Sequence, residues 1–152
     1  MSNISILYGT ETGNSEYLSD LLSQAFDDHS LDNQIFDLGD YEVEQVQNEQ
    51  TIVIITSTYG NGEPPSNAQE FYEYLENLLN QGHTQALQNL RFAVCGLGDR
   101  TFQNFANAGK MFDAILEKLG AQRIIDRVDC DDDYEDQFEF FREKIVQYLT
   151  KE

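Results

Sequence analysis

Residues 51–56, Thr-Ile-Val-Ile-Ile-Thr, form an apolar run without alternation. Successive side chains of a strand point to opposite faces, so this segment has no side to offer to water. It needs cover above and below, which is the situation of a central strand in a parallel sheet. Four further segments have strand character: Ile4 to Tyr8, Gln34 to Leu38, Arg91 to Leu97 and Arg123 to Val128. Helical stripes separate them. Tyr17, Leu18, Leu21, Leu22, Ala25 and Phe26 recur at helical spacing over about Ser15 to Phe26, and a weaker pattern covers Tyr41 to Val46. Phe71, Leu75, Leu78 and Leu79 mark another helix, with Asn67 as its expected N-cap. A fourth stripe runs from Phe105 to Leu119 and should stop at Gly120, and a last one spans Glu135 to Leu149. Alternating strands and helices predict an α/β three-layer sandwich. Its five-stranded parallel sheet has order 2-1-3-4-5, with helices on both faces, and the 152 residues make one domain.

In such a sheet ligands bind at the carboxyl ends of the strands, so the loops there carry the chemistry. The first, Tyr-Gly-Thr-Glu-Thr-Gly-Asn-Ser at 8–15, joins the first strand to the first helix. Thr10, Thr12, Asn14 and Ser15 bring hydroxyls and an amide, and Gly9 and Gly13 permit a tight turn with inward N–H groups. The helix that follows aims its positive end at the same place. This is a phosphate loop. It has no Lys or Arg and carries Glu11 instead, whereas a nucleoside triphosphatase loop needs a lysine for its phosphates.

The third strand is followed by Ser57-Thr58-Tyr59-Gly60-Asn61-Gly62-Glu63-Pro64-Pro65, and the fourth by a loop running on from Gly96-Leu97-Gly98-Asp99-Arg100-Thr101-Phe102-Gln103-Asn104-Phe105. Each presents an aromatic among glycines and polar groups. Two aromatics across a cleft make a slot for a planar ring. A neutral phosphate cradle beside an aromatic slot describes a site for flavin mononucleotide. The Gly96-x-Gly98 pair is not a dinucleotide fingerprint, because Thr101 stands where the third glycine belongs.

Charge narrows the partners. The net charge is −19, and the first ninety residues hold 15 acidic side chains and no Lys or Arg. Such a field disfavours nucleic acid and anionic membranes and favours a basic protein partner. The acidic run Asp129-Cys130-Asp131-Asp132-Asp133 lacks the glycine and terminal glutamate of a calcium loop, and is expected to face a partner. His29 and His83 fall in connections away from the site and are expected at the surface. Cys95 sits in an apolar run and Cys130 in an acidic one, far apart in sequence, so neither a disulfide nor a metal site is expected. No segment approaches the ~20 apolar residues of a membrane span, and the N-terminus has no signal pattern, which predicts a cytoplasmic protein.

These motifs give the whole chain a resemblance to the flavodoxin family. It is most similar to the FMN domains of diflavin reductases, such as cytochrome P450 reductase and the sulfite reductase flavoprotein, and to stand-alone MioC-type flavodoxins. The resemblance rests on Gly-Thr-Glu-Thr-Gly-Asn-Ser at 9–15, Ser-Thr-Tyr-Gly-Asn-Gly-Glu-Pro-Pro at 57–65, Gly-Leu-Gly-Asp-Arg-Thr-Phe at 96–102 and Leu-Gly-Ala-Gln-Arg-Ile at 119–124. It implies that Thr10, Glu11, Thr12, Gly13, Asn14 and Ser15 hold the FMN phosphate, with Glu11 acting through its backbone. Tyr59 would cover one face of the isoalloxazine and Phe102 the other. Thr58, Gly60, Asn61, Gly62, Leu97, Gly98, Asp99 and Asn104 would line the ring edge and its dimethylbenzene side, and Phe105 and Asp131 would also belong to the cofactor site. A Tyr is common in the family where Phe102 stands, so any hydrogen bond of that phenol is lost here. The chain looks short-chain, without room for the insertion that long-chain members carry in the fifth strand.

The implied function is single-electron transfer by an electron carrier rather than an enzyme. The donor would be a basic-faced NADPH-dependent flavoprotein reductase and the acceptor a terminal redox enzyme, with the carrier itself a monomer. No nicotinamide or FAD module follows in this sequence, so the reductase is expected to be external. A stand-alone NAD(P)H or quinone reductase is the alternative. A phosphorylated receiver domain shares the strand order, but it needs an Asp ending the third strand, where this chain has Thr56-Ser57-Thr58.

Overall fold

A computed structural model describes residues 3–10, 13–59, 62–98, 106–131 and 133–151. Strand β1 (Asn3–Gly9) leads into helix α1 (Asn14–Asp28), then β2 (Asp32–Asp37) and β3 (Thr51–Thr56). Helix α2 (Gln69–Asn80), strand β4 (Arg91–Leu97) and helix α3 (Asn107–Lys118) follow. Two short strands, β5 (Gln122–Arg123) and β6 (Val128–Cys130), precede the last helix, α4 (Glu135–Thr150). Every named strand pairing is parallel, in the order β2-β1-β3-β4-β5, with β6 also on β4.

The run at β3 is covered as its composition requires. Ile52 and Ile54 join Leu7, Phe92 and Val94 in a core under α2 and α3, where Phe71 stacks on Phe112 with ring centroids 5.8 Å apart. Val53 and Ile55 pack on the other face with Ile4, Ile6 and Ala93, under Leu18, Leu22 and Phe26 of α1 and Phe138, Phe141 and Ile145 of α4. Burial of each such side chain is worth roughly 1.5–3 kcal/mol, so both faces of the sheet hold the fold.

Three expectations need correction, and one contact was not foreseen. The fifth strand is not continuous from Arg123 to Val128. Two short strands share β4 as partner, one near each end of it. The chain leaves the ladder after Ile124, whose N–H still bonds the Phe92 carbonyl at 2.9 Å, and Arg123 and Arg127 on either side of it reach Asp113 on α3 at 2.8 and 3.4 Å. The helix expected over Tyr41 to Val46 is a 3-10 turn shifted to Val43–Asn48. Helix α2 begins after a short 3-10 turn, Ser66–Ala68, and Ala68 holds the N-cap position, so Asn67 does not cap it. Cys130 is fully buried despite its acidic neighbours, with its Sγ 3.6 Å from that of Cys95 on the α1/α4 face. Sequence distance hid this contact. Both cysteines are free thiols. The stop of α3 at Gly120, which takes φ 92°, is as expected.

Candidate functional site

At the end of β1 the chain must leave the sheet without colliding with the loop after β3. A Cβ at Gly9 would lie 2.9 Å from Ala68 Cβ and 3.0 Å from Thr56 Oγ1, so only glycine fits there. Gly9 instead offers its carbonyl to the Ser57 N–H at 3.0 Å, which ties the first and second loops together. Thr10 Oγ1 accepts the Gly13 N–H at 2.7 Å, closing a turn in which Gly13 takes φ 94°. Gly13 is the N-cap residue of α1, and no side-chain bond caps the helix among the described residues. Its first N–H groups therefore point at the loop unsatisfied by side chains, with the positive end of the helix behind them.

Ser15, in the first turn, is fully buried, and its Oγ has no hydrogen-bond partner among the described residues. A buried hydroxyl left unpaired costs about 1–3 kcal/mol. A phosphate oxygen at the helix N-terminus would remove that cost. The residues present thus fit a phosphate monoester. Glu11 and Thr12 lie outside the described residues.

The second loop is a tight hairpin. Tyr59 and Glu63 exchange both backbone hydrogen bonds at 2.8 Å, and Gly62 turns the chain at φ 112°. Tyr59 is left half exposed, at 50%, on the carboxyl edge of the sheet. An aromatic displayed by a closed backbone ring is suited to cover a planar ligand. Two bonds tie this loop to α3: Thr58 Oγ1 accepts the Ala108 N–H at 3.2 Å, and Asn107 Nδ2 donates to the Gly62 carbonyl at 2.7 Å. Thr58 thus serves the N-terminus of α3, a role its place beside Tyr59 did not announce. Gly60 and Asn61 lie outside the described residues.

From the third loop, Leu97 and Gly98 are described. The Leu97 side chain is buried in the α1/α4 core, so its peptide groups are what it presents at the strand end. Gly98 donates its N–H to the Cys130 carbonyl at 2.9 Å. Asp99, Phe102, Asn104 and Phe105, with the second face of the slot, lie outside the described residues. Asp131 accepts the Asp133 N–H at 3.0 Å on its carboxylate and donates its own N–H to Gln137, turning the chain into α4. Asp129 is not a free acid of the rim, because Arg127 Nε donates to it at 2.8 Å.

Three contributors were not visible beforehand. Asn67 accepts the Thr10 N–H at 2.9 Å and donates to Asp37 at 2.8 Å, across 57 and 30 residues of sequence respectively. Asp37 also accepts the Gly39 N–H at 2.7 Å. Beside them, burial first, then the charges of Asp37 and Glu16, push the Tyr8 phenol up to about 12.

The phosphate-ready turn, the displayed aromatic and the parallel order stand together on one sheet edge. The sequence model of the family described as Flavodoxin matches residues 6–143. The chain belongs to the flavodoxin family. It is 41% identical over 146 residues to the sulfite reductase [NADPH] flavoprotein alpha-component of Sodalis glossinidius, covering 96% of this chain and 24% of that one. The protein of the same name from Bacillus subtilis is 34% identical over 148 residues, with 97% of this chain and 24% of that one covered. The chain therefore spans about a quarter of the length of these relatives. Among solved structures, a short-chain flavodoxin associated with a non-canonical PDU bacterial microcompartment superposes with a TM-score of 0.81 at 24% identity, over 97% of this chain and 98% of its own. A Streptococcus pneumonia TIGR4 flavodoxin gives 0.80 at 24% identity, over 96% and 99%. Membership makes this an FMN-binding electron-transfer domain. No helix among the described residues is long and apolar enough to cross a membrane.

Proposed function

We propose that this flavodoxin-family chain carries single electrons from an NADPH-dependent flavoprotein reductase module to a terminal redox enzyme. The observation that carries the reading is the Ser15 hydroxyl, unpartnered among the described residues, at a helix N-terminus that no described side chain caps, on the same edge as the exposed Tyr59. FMN, when bound, supplies one-electron redox chemistry. The protein's part is to hold and orient it. The first turn of α1, with Thr10, Gly13, Asn14 and Ser15, receives the phosphate, and Glu11 and Thr12 complete that loop. Tyr59 shields one ring face, Phe102 the other, and the loop around Gly98 and Asp99 lines the ring edge.

Acidity supports the choice of partner. The flavin must lie near an exposed edge for electrons to leave, and Glu63 and Asp133 are exposed on loops at that edge. A negative rim steers toward a basic face on donor and acceptor. The matched relatives are named for NADPH, and this chain corresponds to a quarter of their length, so the hydride-accepting step is assigned to a reductase module outside these residues.

Two measurements test the reading. The purified protein should be yellow and release FMN, identified by mass, in a one-to-one ratio; FAD in its place would overturn it. The isolated holoprotein should not consume NADPH in steady state, and should be reduced once a diflavin-type reductase module is added. Turnover of NADPH with a quinone by the isolated protein would make it a reductase in its own right.

A further inference from the structure

Thr10 opens the phosphate turn, yet its own backbone is held by a residue far along the chain. Its N–H donates to Asn67 Oδ1 at 2.9 Å, and Asn67 Nδ2 donates to Asp37 Oδ1 at 2.8 Å. Asp37 ends β2, where it pairs in register with Tyr8, and the same Oδ1 accepts the Gly39 N–H at 2.7 Å. Gly39 packs close against this amide: a Cβ there would lie 3.3 Å from Asn67 Cβ and 3.1 Å from Asp37 Oδ1. Asn67 follows Pro64-Pro65, which restrict the backbone, and sits in the 3-10 turn ahead of α2. One amide therefore joins three elements: the phosphate turn, the end of β2 and the descent of the Tyr59 loop.

We propose that Asn67 is the positioning residue of the phosphate turn; the inference rests on the FMN reading given above. An amide suits the task because it offers an acceptor and a donor from one rigid plane. The acceptor fixes the plane of the Gly9–Thr10 peptide. That plane sets where Thr10 Oγ1 points, and Thr10 Oγ1 in turn holds the Gly13 N–H at the start of α1. Without the amide, the half-buried Thr10 N–H loses its partner and the turn its reference to the sheet. The effect is confined to the phosphate end, because the amide's two bonds go to Thr10 and Asp37, away from the Tyr59–Glu63 ring of hydrogen bonds.

The test compares FMN with riboflavin, which lacks the phosphate, on the deflavinated full chain. Asn67→Ala should weaken FMN binding about tenfold, the cost of one unsatisfied N–H, and leave riboflavin binding within about twofold. Asn67→Asp conserves volume but sets a second carboxylate against Asp37; FMN binding should fall by at least as much, with riboflavin again spared. In the FMN-loaded variants the phosphorus-31 resonance should move while the flavin absorption bands stay in place. Equal loss of both ligands, or an unchanged phosphorus resonance with unchanged FMN affinity, would overturn the assignment. Failure of the unmutated chain to bind FMN would sink the cofactor reading instead, so the two failures are distinguishable.

Discussion

Gly109 on α3 lies against Gly96 on β4 so closely that a Cβ on Gly109 would sit 2.9 Å from the Gly96 Cα. The contact is backbone against backbone, and no side-chain rotation can relieve it. It seats the first turn of α3 directly on the sheet, one residue after Ala108, whose N–H reaches Thr58. Gly109→Ala should therefore cost roughly 1–3 kcal/mol of stability, the usual range for overpacking a tight interior. A lowered urea midpoint with an unchanged slope would show it; an unchanged midpoint would mean that α3 shifts freely on β4.

Ser15 separates stability from function by sign. Its buried Oγ is unpaired without ligand, so Ser15→Ala should leave the FMN-free protein as stable or more stable, by up to about 1 kcal/mol. The same change should weaken FMN binding about five- to tenfold, since one phosphate partner is lost. Thermal unfolding of the FMN-free chain and a fluorescence-quenching titration with FMN read the two effects. Loss of stability with full FMN affinity would place the hydroxyl in the core rather than the cradle.

Much of this could be read from residue order, and the failures share a cause. β3 and the stripe Leu18, Leu22 and Phe26 bury what their spacing says, because burial follows local periodicity. The backbone roles of Gly9 and Gly13 were legible since both stand in one short loop. Asn67 was misassigned because a polar residue ahead of a helix looks like a cap, and its real partners, Thr10 and Asp37, are brought near only by the sheet. The broken fifth strand has the same origin. The segment 123–128 reads as one strand in sequence, and the contacts of Arg123 and Arg127 with Asp113 on α3, distant in sequence, could not be seen in it. The contact of Cys130 is long-range in the same way. Its neighbours in sequence are acids, and its neighbour in space is Cys95.

Alkaline pH should unfold the chain through groups that are neutral when buried. The hydrogen bond to Cys130, then burial, push the Cys95 thiol well up, and burial with the Glu49 hydrogen bond pushes the Tyr41 phenol up. Tyr8 is raised from 10.0 to about 12, and Tyr72 is also raised. Above the ordinary thiol and phenol values the unfolded chain releases protons that the folded chain keeps. The folded state then binds more protons, and stability falls as pH rises. The contribution is whole below pH 9.0, the ordinary thiol value, and is lost progressively above it through the phenol range. Urea midpoints at pH 8 and 10.5 should differ accordingly, and a thiol reagent at pH 8 should modify neither cysteine until the chain unfolds. Rapid native-state labelling would contradict the burial of the pair.

Association with a reductase should depend on salt through the acidic rim. Glu63 and Asp133 are exposed, and Asp131 lies beside the latter, whereas Asp129 is already paired with Arg127 and should contribute little. The Debye length shrinks from about 30 Å at 0.01 M to about 10 Å at 0.1 M, so steering by these charges should weaken steeply over that range. Stopped-flow reduction of the FMN-loaded chain by an NADPH-dependent diflavin-type reductase module should slow in proportion. Changing Asp131, Asp132 and Asp133 together to Asn should reduce the second-order rate and flatten its salt slope, while FMN affinity stays within about twofold. Asp129→Asn is the internal control. It removes a single negative charge near the same strand end but breaks an ion pair, so it should affect stability more than the encounter rate. A rate indifferent to salt and unchanged in the triple variant would assign the acidity to solubility alone.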